Sequence, residues 1–214
     1  MSRTDDSRFW DRTSEKYAKS KISDPEGYER TLTATRALLS PECRVLELGC
    51  GTGSTALRLA DAAAAYLATD ISPEMIAIAQ EKLAVDPVAG LVFRVATAED
   101  LVPEPPGYDA VLGFNYLHLV RDLPGTLRRI HALLAPGGVF VSKTPCVGDM
   151  ALPIRLVVPV MRAIGKAPFV TMFGMAELRE RIEAAGFVIE RAENHASKGG
   201  RSPALRRGAQ AVTD

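Results

Sequence analysis

Residues 45–54 read VLELGCGTGS, an apolar strand that runs into an acidic residue, three alternating glycines and the start of a helix. Glycine lacks a Cβ, so such a turn lets a ligand approach the backbone closely and tolerates positive φ angles. We expect a helix over residues 54–64, whose first N–H groups and positive dipole end would face the ligand. The stretch therefore predicts a nucleotide-type binding site in the turn that follows the first strand of the chain.

The spacing of the glycines separates two kinds of nucleotide site. The dinucleotide fingerprint is G-x-G-x-x-G, whereas the chain has E-x-G-x-G-x-G with a serine after the last glycine. This arrangement resembles the first motif of class I S-adenosylmethionine-dependent methyltransferases. In that family the acidic residue orients the loop and lies near the methionine end of the cofactor. The resemblance implies cofactor contacts from Glu47, Gly49, Cys50, Gly51 and Gly53.

Composition restricts the class of protein. A chain of 214 residues is suited to one domain, and 26 Lys and Arg balance 26 Asp and Glu, so no net field favours nucleic acid. The three cysteines show no metal-ligand spacing, which predicts neither a disulfide framework nor a metal site. Residues 1–6 are polar and lack the apolar core of a signal peptide. We therefore expect a cytoplasmic protein without a nucleic-acid partner or a transmembrane segment.

Apolar runs alternate with amphipathic segments along the chain, which predicts an α/β fold with a mostly parallel sheet and helices on both faces. Ser72 before Pro73 is typical of a helix start, and Gly186 of a helix end. The predicted strands are residues 45–48, 66–69, 91–95, 110–114, 139–142 and 188–190, and the other predicted helices are residues 73–84, 123–134 and 175–185.

Four later motifs follow the glycine loop in the order seen in the same family. Asp70 ends the second predicted strand, where a carboxylate can accept both ribose hydroxyls of an adenosine, and the resemblance places Ile71 against the adenine. Residues 97–101 resemble the segment at the adenine edge, with Thr97 in place of the usual aspartate. The resemblance implies a backbone contact from Ala98 and a side-chain contact from Glu99, although a solvated acidic turn explains Glu99 as well.

The last two motifs lie at the fourth and fifth predicted strands. Asn115 ends the fourth strand and would face the transferring methyl group, with His118 just beyond it. His118 is a candidate general base, although a histidine beside an apolar segment also serves packing or orientation. Residues 133–138 match the family's L-x-P-G-G turn, whose role is architectural.

The N-terminal segment resembles the helical cap of small-molecule methyltransferases related to ubiquinone- and menaquinone-pathway enzymes. Such caps close over the cofactor, and Tyr17 is the candidate contact to its carboxylate or sulfonium end. An aromatic staple that holds a helix to the sheet is the alternative explanation for Tyr17.

Residues 150–173 are too apolar for an ordinary surface loop, yet Pro153, Pro159, Arg155 and Arg162 argue against a membrane span. The segment lies where this family inserts elements that cover the substrate. It therefore predicts an apolar acceptor such as a lipid or quinone, while a homodimer interface or a peripheral membrane contact is also compatible.

The C-terminal residues depart from the family pattern. After residue 190 we expect a last antiparallel strand, but residues 202–211 show almost no strand pattern. We therefore predict that this strand is missing or altered, and a frameshift near residues 200–203 is our hypothesis for the cause.

These observations predict one Rossmann-like class I methyltransferase domain over residues 1–214. It divides into a cap (1–40), a cofactor-binding core (41–145), an apolar substrate-side insertion (146–175) and a C-terminal part (176–214). The expected activity is S-adenosylmethionine-dependent methyl transfer to a small, apolar acceptor. The alternatives are a non-catalytic S-adenosylmethionine-binding protein and a nicotinamide-dependent oxidoreductase.

Overall fold

A seven-stranded sheet with the order β3-β2-β1-β4-β5-β7-β6 forms the centre of the protein. The structure is a computed structural model that describes residues 3–149, 152–194 and 206–212. Neighbouring strands are parallel from β3 to β5, whereas β7 runs antiparallel to both β5 and β6. The strands are β1 Arg44–Leu48, β2 Ala65–Asp70, β3 Leu91–Val95, β4 Tyr108–Phe114, β5 Leu134–Pro145, β6 Val188–Asn194 and β7 Arg206–Val212.

Helices cover both faces of the sheet, as predicted. They are α1 Arg3–Ala18, α2 Pro25–Arg36, α3 Ala56–Leu59, α4 Pro73–Val85, α5 Leu123–Leu133, α6 Leu152–Ala163 and α7 Met175–Ala184. Successive strand residues point to opposite faces, so Val45 packs with α2, α3 and α4, whereas Leu46 packs with α5 and α7. The two apolar layers cover the faces of the sheet and leave the carboxyl ends of its parallel strands accessible.

The helix after the glycine loop is shorter than predicted. The sequence predicts one helix over residues 54–64. The structure instead has α3, which is four residues long, followed by a 3-10 turn at Ala60–Ala62. Three alanines and an aspartate end this segment, and Ala63 is already extended with a ψ of 155°. The helix dipole behind the loop is therefore weaker than the predicted helix over residues 54–64 would give, because a one-turn helix aligns few peptide dipoles.

The last antiparallel strand is present, which corrects the prediction that it is missing. Residues 206–212 pair with β5 from Val139↔Val212 to Pro145↔Arg206, and β6 pairs with their other edge. Backbone hydrogen bonding on both edges supports a strand here even though the residues lack strand propensity, because β-propensity depends on context. The frameshift hypothesis concerns residues 200–203, which lie outside the described residues, and stays untested.

Apart from Leu133, which ends α5, the turn predicted from residues 133–138 lies inside the bounds of β5. Gly137 has a φ of +74°, and the pairing with β4 jumps from Tyr108↔Leu134 to Ala110↔Val139. The Pro-Gly-Gly sequence therefore forms an irregularity in the strand, not a separate connection.

Helix α1 closes over the carboxyl ends of the strands through polar contacts. The Ser72 hydroxyl donates to Asp11 at 2.6 Å, and Arg121 donates two hydrogen bonds to Asp6 at 2.6 and 2.8 Å. These contacts link the cap to the β2–α4 turn and to the segment after β4, so that α1 forms one wall of the space at this edge.

The insertion after β5 contains α6, whose exposed apolar side chains include Val157 and Val160. The following segment supports the region after β4: Thr171 donates its N–H to the His118 carbonyl at 2.7 Å and its hydroxyl to the Val120 carbonyl at 2.7 Å. Within the described ranges, no helix is long and apolar enough to cross a membrane.

Candidate functional site

Two adjoining cavities lie at the carboxyl ends of the parallel strands, where ligands bind in open α/β sheets. Their volumes are about 500 and 300 Å³. Tyr17, Gly49, Phe114 and Asn115 line both cavities, so a single elongated ligand can extend from one into the other past the glycine loop.

Most of the predicted site residues line these cavities. The larger cavity is bordered by Tyr17, Gly49, Gly51, Asp70, Ile71, Thr97, Glu99, Asn115 and His118, and the smaller by Tyr17, Glu47, Gly49, Cys50 and Asn115. Gly53 and Ala98 line neither cavity, and the ligand contacts of these two residues stay predictions. Ala98 is fully buried, and its carbonyl accepts a hydrogen bond from Arg129 at 3.3 Å.

The three loop glycines all have positive φ angles, between 54° and 75°, and Gly49 and Gly53 also make room for a neighbouring side chain. A Cβ at Gly49 would lie 2.8 Å from the Tyr116 ring, and one at Gly51 would lie 3.4 Å from the Tyr17 ring. A Cβ at Gly53 would lie 2.6 Å from the Phe93 ring. The loop therefore requires glycine for packing as well as for backbone conformation.

Replacing Gly53 with alanine is expected to destabilise the protein by about 2–4 kcal/mol, from overpacking against Phe93 and from the positive φ. Gly137→Ala is the matched control, because Gly137 has nearly the same φ, +74°, with no atom within 4 Å of an added Cβ. Its cost should be limited to about 1–2 kcal/mol. Chemical denaturation measures both, and equal losses would contradict the packing argument.

Asp70 holds the glycine loop and the next helix together. Its carboxylate accepts hydrogen bonds from the Gly51 N–H and the Ser72 N–H, both at 2.9 Å. Burial raises the pKa of Asp70, while these backbone hydrogen bonds oppose that shift. Because each carboxylate oxygen can accept more than one hydrogen bond, Asp70 can also receive two hydroxyl groups of a ligand in the larger cavity.

Glu47 is a buried carboxylate beside the smaller cavity. Its side chain accepts a hydrogen bond from the Tyr66 hydroxyl at 2.7 Å, and burial raises its pKa from 4.5 to about 7. A cationic group placed next to Glu47 would favour the ionised form and lower this pKa. The smaller cavity is therefore suited to an ammonium group.

The segment at the predicted adenine edge is organised by its own side chains. The Thr97 hydroxyl donates to Asp100 at 3.0 Å, so its oxygen lone pairs can accept from a ligand amino group. Glu99 accepts a hydrogen bond from the Thr126 hydroxyl at 2.7 Å. Both residues border the larger cavity, and their ligand contacts stay predictions.

Asn115 and His118 lie where β4 ends. Asn115 has a φ of 53° and is the only described residue other than glycine with a positive φ. Such backbone outliers often occur at functional sites. The His118 Nδ1 lies 3.1 Å from the Thr144 hydroxyl oxygen, and burial lowers the pKa of His118 to about 4. Since an efficient general base has a pKa near the working pH, this environment favours an orienting role over proton abstraction.

The cap contributes an aromatic wall above the glycine loop. Tyr17 packs edge-on against Trp10 with ring centroids 6.1 Å apart, and burial and the Asp70 carboxylate raise the pKa of Tyr17. Both rings border the larger cavity. The aromatic partner of Tyr17 lies on the same helix, so this contact does not staple α1 to the sheet, and the cofactor contact of Tyr17 stays a prediction.

The insertion after β5 contacts the border of the larger cavity through Phe169. Phe169 lies between two guanidinium groups, 4.4 Å from Arg121 and 4.6 Å from Arg162, and Arg121 borders the larger cavity. No described residue of the predicted substrate-side insertion, residues 146–175, lines either cavity. The N-terminal cap contributes Asp6, Trp10 and Tyr17 to the lining of the larger cavity, and the covering role of the insertion stays a prediction.

Sequence reasoning missed several lining residues. Met75 and Arg121 border the larger cavity, and Thr31 and Lys143 border the smaller one. Lys143 had a detectable signal, because it is a charged residue inside the otherwise uncharged run from residue 139 to residue 146. The other three carry no signal in sequence, since only the packing of separate elements brings them to the cavities.

Within the described ranges no cluster of His, Cys, Asp or Glu could hold a metal ion.

Comparisons with known proteins agree with this geometry. A family model described as a methyltransferase domain matches residues 46–140. The chain is 38% identical to fumosorinone synthetase of Cordyceps fumosorosea over 110 residues, which are 47% of this chain and 3% of that protein. It is 32% identical to a ubiquinone biosynthesis O-methyltransferase of Xanthomonas campestris over 117 residues, which are 52% of this chain and 48% of that protein. The chain therefore spans half or less of the length of these curated relatives.

A solved structure shows the same fold. An S-adenosylmethionine-dependent methyltransferase from Mesorhizobium loti superimposes with a TM-score of 0.67 at 22% identity, covering 84% of this chain and 96% of that one. The glycine loop, the sheet order and the match over residues 46–140 agree with one another. Over residues 46–140 the chain is therefore similar to methyltransferase domains, and its fold is that of the solved methyltransferase structure.

Proposed function

We propose that this protein transfers a methyl group from S-adenosylmethionine to a small, apolar acceptor. The observation that carries the proposal is the pair of buried carboxylates, Asp70 and Glu47, beside two connected cavities on either side of the glycine loop. A dinucleotide enzyme would need the third glycine at a different spacing.

The residues present fit the methyl donor. Asp70 would accept the two ribose hydroxyls, and Ile71 and Met75 offer apolar contacts for the adenine in the larger cavity. Glu47 would hold the ammonium group of the methionine end in the smaller cavity. When bound, the donor supplies a methyl group on a sulfonium; the chain's own residues bind, orient the reactants and exclude water, and such alignment can lower a barrier by about 7–11 kcal/mol.

An apolar acceptor is supported by the walls and by the surroundings of the site. Trp10, Leu119 and Val120 contribute apolar surface to the larger cavity. Near the site, α6 exposes a row of large apolar side chains: Leu152, Val157 and Val160, with Ile164 just beyond its end. This row is our candidate for a homodimer or peripheral membrane contact that would bring a lipid- or quinone-like acceptor to the cavity. One relative's name links it to ubiquinone biosynthesis, which is compatible with such an acceptor.

Calorimetry with S-adenosylmethionine, S-adenosylhomocysteine and NAD, side by side, tests the proposal. We expect both sulfur compounds to bind and NAD to give no heat, because the loop spacing suits only the former. Acceptor preference is then measured as formation of S-adenosylhomocysteine from methyl and decyl esters of the same dihydroxybenzoate, of which the decyl ester should be the better substrate.

Two outcomes would overturn parts of this proposal separately. Binding of NAD without a response to the sulfur compounds would reject the methyl-donor assignment. Donor binding with equal use of the two esters would retain the donor and reject the apolar acceptor.

A further inference from the structure

The order of the strands places the end of β4 outside the part of the site that the proposed donor occupies. Asp70 ends β2 and Thr97 follows β3, so a donor bound as proposed lies over β1, β2 and β3. In the sheet, β4 and then β5 follow on the other side of β1. The part of the larger cavity beside the end of β4, where His118 lies, is therefore left for the acceptor.

One buried hydroxyl on β5 contacts His118 in two ways. The Thr144 hydroxyl oxygen accepts a hydrogen bond from the His118 backbone N–H at 3.3 Å and lies 3.1 Å from Nδ1 of the ring. Thr144 is only 1% exposed. A hydroxyl group can accept through its oxygen and donate its single proton at the same time, so the proton of Thr144 is left for the imidazole ring.

This hydroxyl proton decides the tautomer of His118. If Nδ1 carried a proton and donated it to Thr144, the buried hydroxyl proton would have no acceptor among the described residues, and a buried polar group is rarely left in that state. The hydroxyl therefore donates to Nδ1, which is unprotonated. Burial lowers the pKa of His118 to about 4, so the ring is neutral at neutral pH. A neutral ring with an unprotonated Nδ1 carries its proton on Nε2.

The Nε2–H group is the part of His118 that is left for a ligand. It makes no hydrogen bond within the part of the chain that the structure describes, and it is not an enclosed atom, because Ser142 Oγ is the only enclosed side-chain polar atom there without a partner. The backbone N–H and Nδ1 face Thr144, and the carbonyl accepts from Thr171. Since His118 borders the larger cavity, the geometry places its remaining donor at that cavity.

We propose that the Nε2–H of His118 donates a hydrogen bond to the methyl acceptor and selects compounds with a carbonyl-type oxygen, such as a ketone, an ester or a quinone. This inference rests on the proposed methyl transfer and specifies the chemistry of its acceptor. Nε2 has no lone pair to take a proton, and the lone pair of Nδ1 is used by Thr144, so His118 determines specificity and does not act as a base. Trp10, Leu119 and Val120 provide apolar walls for the rest of such a compound.

The same geometry disfavours acceptors that present only a donor. An N–H group placed against the Nε2–H of His118 would bring two donors together and leave both without a partner in a partly desolvated site. Selection at this position therefore works in both directions, towards oxygen acceptors and against N–H donors.

NMR reads the tautomer directly. Long-range ¹H–¹⁵N correlation spectra are recorded at neutral pH on protein labelled with ¹⁵N-histidine. We expect Nδ1 of His118 at the shift of an unprotonated nitrogen and Nε2 at that of a protonated one. The chain has three histidines, and the spectrum of His118→Phe identifies the signals that belong to His118. A protonated Nδ1 or a doubly protonated ring would overturn the proposal.

Three apolar probes test the ligand preference. 2-Acetylnaphthalene only accepts a hydrogen bond, 2-isopropenylnaphthalene has an alkene in place of the carbonyl, and carbazole only donates. Equilibrium dialysis in the presence of S-adenosylhomocysteine, which fills the donor side, measures their dissociation constants. We expect the ketone to bind about threefold to tenfold more tightly than the alkene, as one neutral hydrogen bond implies, and carbazole to bind no more tightly than the alkene.

Three variants show whether His118 causes the preference. His118→Phe should bind ketone and alkene within about twofold of each other. Thr144→Val removes the hydroxyl that donates to Nδ1, so it should weaken the preference and show both tautomers by NMR. His131→Phe is the matched control, because His131 borders neither cavity, and it should retain the preference. Calorimetry with S-adenosylhomocysteine shows that each variant is folded.

The possible outcomes are distinct. Equal binding of ketone and alkene, tighter binding of carbazole, or a ketone preference that survives His118→Phe would overturn the role of His118. If His118→Phe fails to fold, the wild-type spectrum and Thr144→Val still decide. Competition between 2-acetylnaphthalene and S-adenosylhomocysteine would also overturn the proposal, because it would place the probe on the donor side.

Failure of the proposed function has a different signature. If neither S-adenosylmethionine nor S-adenosylhomocysteine binds the wild-type protein, the methyl-transfer proposal fails, whereas the spectra still report the tautomer of His118. If both bind and the ketone is not preferred, only the selection by His118 fails.

Discussion

Replacing Asp70 with alanine is expected to weaken binding of S-adenosylmethionine at least about a hundredfold. The change removes two hydrogen bonds to a carboxylate, each worth about 1.5–3 kcal/mol. It also leaves the N–H groups of Gly51 and Ser72 without the acceptor that they use now, so the glycine loop loses part of its support. Calorimetry with S-adenosylmethionine and S-adenosylhomocysteine measures the loss.

Two further variants give this experiment its controls. Glu74→Gln removes an exposed acid four residues further along the chain, in the first turn of α4, and should bind as wild type. Asp70→Asn keeps the shape of the side chain but places an NH₂ group opposite a backbone N–H, so it should also bind weakly. Binding of Asp70→Ala within about threefold of wild type would remove Asp70 from the site.

The second large effect is the pH dependence of donor binding through Glu47. The pKa of this carboxyl is raised to about 7, and an ammonium group binds best when the carboxylate is ionised. Affinity for S-adenosylmethionine should therefore fall by up to about tenfold for each pH unit below 7, with proton release on binding. Glu47→Gln should bind weakly at neutral pH and show little dependence on pH between about 5.5 and 7.

The same shift predicts the opposite effect on stability. The folded-state pKa of Glu47 is above its ordinary value of 4.5, so its contribution to stability is fully present below pH 4.5 and is lost as the pH rises through 7. Glu47→Gln has no such loss. Relative to wild type, the variant should gain up to about 3 kcal/mol in the free energy of unfolding between these pH values.

Tyr66→Phe separates this mechanism from a general effect of pH. The Tyr66 hydroxyl donates to Glu47 at 2.7 Å and lowers its pKa. Without the hydroxyl, the pKa of Glu47 should rise, and the midpoint of the binding curve should move to higher pH. An unchanged midpoint in Tyr66→Phe, or a pH dependence that persists in Glu47→Gln, would show that another group titrates.

The regular core could be predicted from sequence because its signals are local. The predicted strand over residues 91–95 has the bounds of β3, and the helix predicted over residues 73–84 differs from α4 by one residue. Ser72 caps α4 as predicted, accepting a hydrogen bond from the Met75 N–H at 3.1 Å. These elements combine hydrophobic periodicity with clear end signals, so neighbouring residues alone specify them.

Elements that depend on distant partners were predicted poorly. The alanine-rich segment after the glycine loop has high helix propensity, yet α3 ends after four residues and the next strand begins at Ala65. Residues 206–212 have weak strand propensity, yet they pair with β5 and β6. In both places tertiary hydrogen bonding outweighs local preference.

The residues of the proposed donor site could be predicted from the chain alone, because the acidic residue, the three glycines and Asp70 lie within or just after consecutive strands. The other lining residues of the smaller cavity could not, since Lys143 and Thr31 are far apart in sequence and meet only where β5 and α2 pack together. Burial then sets the electrostatics of the site: desolvation by the whole fold raises the pKa of Glu47 to about 7. Local spacing identifies residue types, whereas their proximity and their electrostatic environment require the packed structure.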